Sequence, residues 1–248
     1  MAQLKTGTSI GGITISAFVQ SLLNNADADA FLTDLDIASL TAAAKTLLAL
    51  TAVQGDIPYA SVDNVISMLA KSTDGKIVRQ ASNIPSWSDV IVSGTVVAST
   101  SGVAIDFTSI PSWAKQITIN FYGVSTNGVS PIVVQIGDSG GIEATGYTGC
   151  FGLVAAAGAN AYAGTTYFPV TWSTNADART ANGSVQLSLI DAASFTWALS
   201  GVIYQTAADY AGIAGGVKAL SAALDRVRIT TANGTDAFDA GAINILYE

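Results

Sequence analysis

Histidine is absent from the 248 residues, and cysteine occurs once, at Cys150. Without histidine, neither a Ser-His-Asp triad nor a Cys-His pair can form, and the commonest general base is missing. One cysteine excludes an intrachain disulfide framework. Together with the missing histidine it also excludes Cys/His zinc sites. Cys150 itself reads as a small buried hydrophobe. Glutamate is nearly absent too, since Glu143 and Glu248 are the two in the chain.

Charge is equally scarce. Charged residues are 11% of the chain, against about 25% in an ordinary soluble domain. A half-hydrophobic chain with so little charge implies a surface that is largely covered, most simply by copies of itself. The net charge of −8 argues against nucleic acid, which needs a basic footprint. No run reaches the ~18 consecutive apolar residues of a membrane helix, so no membrane insertion is expected. The amino-terminal stretch carries one lysine and no compact apolar run, so no secretory signal peptide is expected and synthesis in the cytoplasm follows.

What is present is mostly strand grammar. From Val103 to Gly137, Ile117, Ile119 and Phe121 alternate with Thr118, Asn120 and Tyr122, the period of a strand with one buried face. Ile132 to Ile136 is too apolar to alternate and predicts burial on both faces. Asn127-Gly128 between them predicts a hairpin. Ile110-Pro111 makes a corner before the first strand. Further strands are expected at 95–98, 104–107, 149–155, 166–172, 184–191, 196–204, 216–220, 225–230 and 242–247, with the last one inside a sheet. About eight to eleven strands in roughly 160 residues suit a jelly roll better than an immunoglobulin-like fold.

The amino-terminal part differs. Met1 to Gly12 reads as an extended anchoring tail. Phe18, Leu22 and Leu23 recur at helical spacing, Asp27 to Asp36 holds four acids that suit a short capped helix, and Leu40 to Leu50 carries a narrow apolar stripe. Three helices this short are expected to pack around a symmetry axis. Ile57-Pro58-Tyr59 is extended, Val65 to Ala70 is open between a helical turn and a strand, Asp74-Gly75 marks a turn, and Lys76 to Arg79 a strand. Asn83 to Ser88, polar and proline-containing, reads as the boundary.

Three segments carry a resemblance. GD-I-x-Y-A-S … N-x-x-x-x-L-A-K-x-x-x-G-K-I-V, from Gly55 to Val78, resembles a module of bacteriophage tail fibres and other tail-associated proteins. Leu22 to Ile37 is similar to the short helical element that often precedes it, although the usual final Leu-Gly-Leu is here Leu35-Asp36-Ile37. Phe107 to Gly141 is similar to the carboxy-terminal β-domain of many such phage and prophage proteins. The resemblance implies a virion protein, usually homotrimeric, concerned with host attachment. It brings no catalytic motif and no set of binding residues.

Glycoside hydrolysis needs two carboxylic residues, and Asp106 with Glu143 is the pair that a loop could bring together. No enzymatic activity is expected. Ile136 to Tyr147 is glycine-rich but lacks the Gly-Lys-Ser/Thr ending of a phosphate loop. Asp138 and Glu143 offer oxygen to a cation, but neither a metal nor a cofactor is expected. Among the tryptophans, Trp197 belongs with Leu199 in a core. Tyr147, Tyr162, Tyr167, Trp172 and Asn175 flank loops and are the candidate receptor contacts, because aromatic and amide side chains at loop ends suit sugar or protein recognition.

The sequence therefore predicts a mainly β chain, with a short α-helical amino-terminal region followed by a jelly-roll-like antiparallel β-sandwich. Residues 1–53 would attach to the virion and trimerise, 54–85 connect, and 86–248 form the head. The expected function is that of a homotrimeric phage tail fibre or tip protein. It would bind a host surface structure, glycan or protein, and contact other tail or baseplate proteins through its amino-terminal region. The alternatives are a structural virion protein (a capsid head fibre, a decoration or a tail connector), a polysaccharide depolymerase, and a cellular carbohydrate-binding module.

Overall fold

The computed structural model describes residues 9–10, 13–14, 54–62, 65–73, 75–155, 158–172, 179–206 and 210–248. The helical readings over residues 16–50 lie outside these, as does Asn175. The chain divides into two compact units, 1–88 and 89–248. All the described regular structure is strand.

In the first unit, β1 (Ser9–Ile10) pairs antiparallel with β2 (Ile13–Thr14). β3 (Ile57–Val62) pairs antiparallel with β4 (Val65–Leu69), which settles Val65 to Leu69 as a strand. β5 (Lys76–Ala81) and β6 (Ile84–Asp89) form a third ribbon. Ser82 and Asn83 between them both take positive φ, 51° and 64°, the backbone of a tight two-residue hairpin. The stretch read as a boundary is thus a strand, because this turn returns it onto β5. Trp87 Nε1 donates to Ala70 O at 2.7 Å.

The second unit holds β7 (Val92–Ser93), β8 (Val97–Ala98), β9 (Ala104–Phe107), β10 (Gln116–Thr126), β11 (Ile132–Asp138), β12 (Gly141–Ile142), β13 (Tyr147–Ala155), β14 (Gly158–Gly164), β15 (Phe168–Pro169), β16 (Ala181–Asp191), β17 (Thr196–Gln205), β18 (Tyr210–Ala219), β19 (Arg226–Thr231) and β20 (Phe238–Tyr247). A nine-stranded sheet runs β14-β13-β18-β17-β16-β10-β20-β7, with β8 also on β20. A five-stranded sheet runs β12-β11-β19-β9, with β15 also on β11. Every registered pair is antiparallel. From β7 to β20 the chain passes back and forth between the two sheets, and their apolar residues form one core.

The alternation read in β10 is realised. Ile117, Ile119 and Phe121 are buried, while Tyr122 is 79% exposed. In β11, Ile132 to Val134 are all buried. The last strand lies inside its sheet, between β10 and β7/β8. The expected hairpin at Asn127-Gly128 does not form, since β10 and β11 belong to different sheets. Neither residue takes the positive φ of a hairpin turn. The turn is instead fastened to the one before β20. Asn127 N donates to Ala237 O and Ala237 N to Asn127 Oδ1, both at 2.9 Å. A Cβ on Gly128 would lie 1.9 Å from Asp236 Oδ2.

Two strands were longer than expected or missed, and both are rich in small residues. β14 (GANAYAG) reads as a loop, and β18 begins at Tyr210 rather than Gly216. The expected strand at 166–172 shrinks to Phe168–Pro169. Cys150 is exposed, contrary to its expected burial. Phe151 and Leu153 take the core face of β13, so period-two alternation turns Cys150 outward.

The glycines of β18 make room for aromatic rings. A Cβ on Gly212 would lie 2.0 Å from Cζ of the fully buried Phe151. Gly212→Ala is therefore expected to destabilise the protein by about 1–3 kcal/mol through overpacking. Urea unfolding would check this, and an unchanged midpoint would mean that the ring is free to move.

Candidate functional site

Three of the five candidate contacts meet. Tyr162 lies on β14 opposite Phe151 of β13. Tyr167 precedes β15 and Trp172 follows it. The Tyr162 and Tyr167 hydroxyls are 2.6 Å apart, and their rings stack at 6.5 Å with 22° between planes. Trp172 meets Tyr162 edge-on, at 6.2 Å and 79°. All three side chains are half-buried. Gly164 permits this corner, because a Cβ there would lie 2.8 Å from Tyr167 Cδ2.

The backbone beneath the rings is held by buried polar groups. Gln205 is fully buried, and its Oε1 accepts from Trp172 N at 3.2 Å and from the Tyr210 hydroxyl at 2.9 Å. Arg179 Nη1 donates to the Tyr210 hydroxyl at 3.2 Å. Thr171 Oγ1 accepts from Ile132 N at 2.8 Å, and Gln135 Nε2 donates to Thr166 O at 3.0 Å. Burial, and then the Tyr162 hydroxyl beside it, pushes the Tyr167 phenol up to about 12. At neutral pH the group presents uncharged ring faces and hydroxyls, which suit stacking on a sugar ring or on another aromatic.

Tyr147 is not part of this group. It is 3% exposed, packs edge-on against Phe168 at 4.9 Å, and its hydroxyl serves the backbone. That hydroxyl accepts from Ile136 N at 2.8 Å and lies 2.8 Å from Glu143 O, to which it donates. Core parity on β13 turns it inward, so it positions the 138–143 loop instead of meeting a receptor. Trp197 is buried, as its pairing with Leu199 in β17 implies.

The acids singled out in the sequence are held by partners. Lys218, 4% exposed, donates to Glu143 Oε2 and to Ala219 O. Ser221 N donates to Glu143 Oε1 at 2.7 Å, and Ser221 Oγ lies 2.7 Å from Asp138 Oδ2. Burial pushes the Glu143 carboxyl up, but Lys218 and Ser221 together outweigh it and hold it below its ordinary value. Asp106 pairs with Arg228 through two bonds, at 2.7 and 2.8 Å. Among the described residues, no three His, Cys, Asp or Glu side chains gather as metal ligands would. Sequence reading missed Gln205, Tyr210, Arg179 and Lys218. Lys218 had a signal, being the one charge in an otherwise neutral strand.

Comparison with protein-family models, with curated proteins and with solved structures gave no match to this chain.

Tyr147 and Tyr167 are both pushed up to about 12, Tyr147 mainly by burial. Burial also raises Tyr210 and Tyr247, so a spectrophotometric titration should show a group of late phenols, with one lost in each of Tyr147→Phe and Tyr167→Phe. Because the folded values are raised, their share of stability is full below about 10 and disappears as pH rises through 12. Lys218→Met should cost about 3 kcal/mol by leaving Glu143 without its cation. Adding Glu143→Gln should restore part of this. The Glu143 share of stability is present above 4.5 and is lost as pH falls through its depressed folded value, so Glu143→Gln alone should flatten the acid limb of a stability–pH curve.

Proposed function

We propose that this chain is a bacteriophage virion fibre or tip protein, homotrimeric, that binds a host cell-surface structure during adsorption. A glycan is the ligand class. The observation that carries the reading is the Tyr162–Tyr167–Trp172 group, three uncharged rings held half-buried on a firm backbone. Its position supports the same reading. The chain enters the second unit at β7, level with Leu246 and Tyr247 and so with the Ile117 end of β10. Trp172 follows Val170 and Thr171, which bond to Ile132 just beyond the Thr126 end. The rings thus sit towards the end remote from the entry. The resemblance of Gly55 to Val78 and of Phe107 to Gly141 to phage tail-associated proteins points the same way.

In this reading residues 1–53 attach to other tail or baseplate proteins and trimerise, and residues 54–85 connect. Residues 86–248 form a jelly-roll-like sandwich, consistent with the chain's passage between two sheets. Weak single sites suffice, because multivalent display adds ~10²–10⁴ in avidity. No catalytic step is included. Glycoside hydrolysis uses one carboxylic acid whose pKa is raised, whereas Glu143 is lowered by its ammonium partner.

The test is competition for phage adsorption by the purified full chain. The wild type should block adsorption, and Tyr162→Ala or Trp172→Ala should need about tenfold more protein, with mass and circular dichroism unchanged. A folded trimer that competes with nothing would shift the protein to a structural role on the particle. Shortened host polysaccharide after incubation would overturn the non-enzymatic reading.

A further inference from the structure

The outward face of β13, β14, β17 and β18 is not needed for the aromatic group. We propose that it is the surface on which a second copy of this chain packs. The inference rests on the homo-oligomeric part of the function proposed above, and not on its receptor.

Four strands contribute to the face. Lys218 is their one charged residue, and it turns inward at 4% exposure. Outward stand Ile213 at 66%, Val202 at 53%, and Tyr204 and Val217 each at 42%. They are contiguous. Ile213 lies directly opposite Val202 on one side and Gly152 on the other. A Cβ on Gly152 would meet nothing within 4 Å, which leaves a hollow beside Ile213. Cys150, also exposed, lies two pairs further along and on the same face, opposite Gly215.

Size and charge select the occupant. Four strands about 4.8 Å apart, each some nine residues long, present roughly 600 Å². That reaches the top of what monomers leave bare, about 300–600 Å², and approaches the ~800 Å² per partner of a stable interface. The chain carries a net charge of −8, so two copies repel one another overall. A neutral apolar face is where they can approach, and a flat sheet of small residues accepts another sheet at about 10 Å. A basic or acidic partner would find no counter-charge here.

Cys150 is the one thiol in the chain and reports on this face without mutation. The experiment uses the full chain, a maleimide probe and light scattering. At concentrations where the wild type is oligomeric, Cys150 should react at least tenfold more slowly than in Ile213→Asp. That variant should have a smaller mass and an unchanged circular dichroism spectrum. Val96→Asp, at a site 59% exposed between β7 and β8, should leave mass and labelling as in the wild type. An oligomeric wild type whose Cys150 reacts at the rate of a free thiol would place the interface elsewhere and overturn the proposal, even if Ile213→Asp misfolds. A monomeric wild type would overturn both this proposal and the oligomeric part of the proposed function. Receptor binding is read separately, by adsorption competition.

Discussion

The second unit depends on the pairing of β10 with β20. β10 is bonded on both sides, by β16 and by β20, and its Ile117, Ile119 and Phe121 lie at the centre of the shared core. β20 in turn carries β7 and β8. The contact between Gln116 and Glu248, at 3.0 Å, joins residues 132 apart in sequence. Closing such a distance costs chain entropy before any contact offsets it, which makes this kind of topology slow to fold. The alternating Ile and Phe side chains of β10 are what offset it, by removing a continuous apolar row from water.

The large sheet is asymmetric, and its glycines explain why. On the inner side, Gly212 and Gly216 leave room for the rings of Phe151 and Phe168. On the outer side, Gly152 and Gly215 leave the surface low, with Gly215 meeting no atom nearer than 3.9 Å. Large residues thus fill the core from β13 and β15, while β18 stays thin. The same small-residue strands that admit the core rings also make a smooth neutral exterior, so the inner packing and the outer surface share one sequence cause.

A few polar groups anchor the loops to the strands. Lys218 and Glu143 tie the end of β18 to the loop before β13, and Tyr147 ties that loop to β11. Gln205 and Tyr210 do the same beneath Trp172. Each of these anchoring side chains has a bonding partner, and an orphaned one would cost about 1–3 kcal/mol.

Much of the β pattern was legible in the sequence, and so were the excluded chemistries. β9 falls at Ala104–Phe107 as read, and β10, β16, β17 and β20 lie around their expected cores, because large apolar residues at period two reveal both strand and face. The missing histidine removes histidine-dependent chemistry whatever the fold. β14 and the first half of β18 were not legible, since Ala and Gly give neither face a hydrophobic contrast. Only the tertiary structure decided that Asn127-Gly128 crosses between sheets, that Tyr147 and Lys218 point inward, and that Cys150 points out. Strand partners and burial parity are set by hydrogen bonds and packing between distant segments, and a local pattern carries no record of which segment will lie beside it.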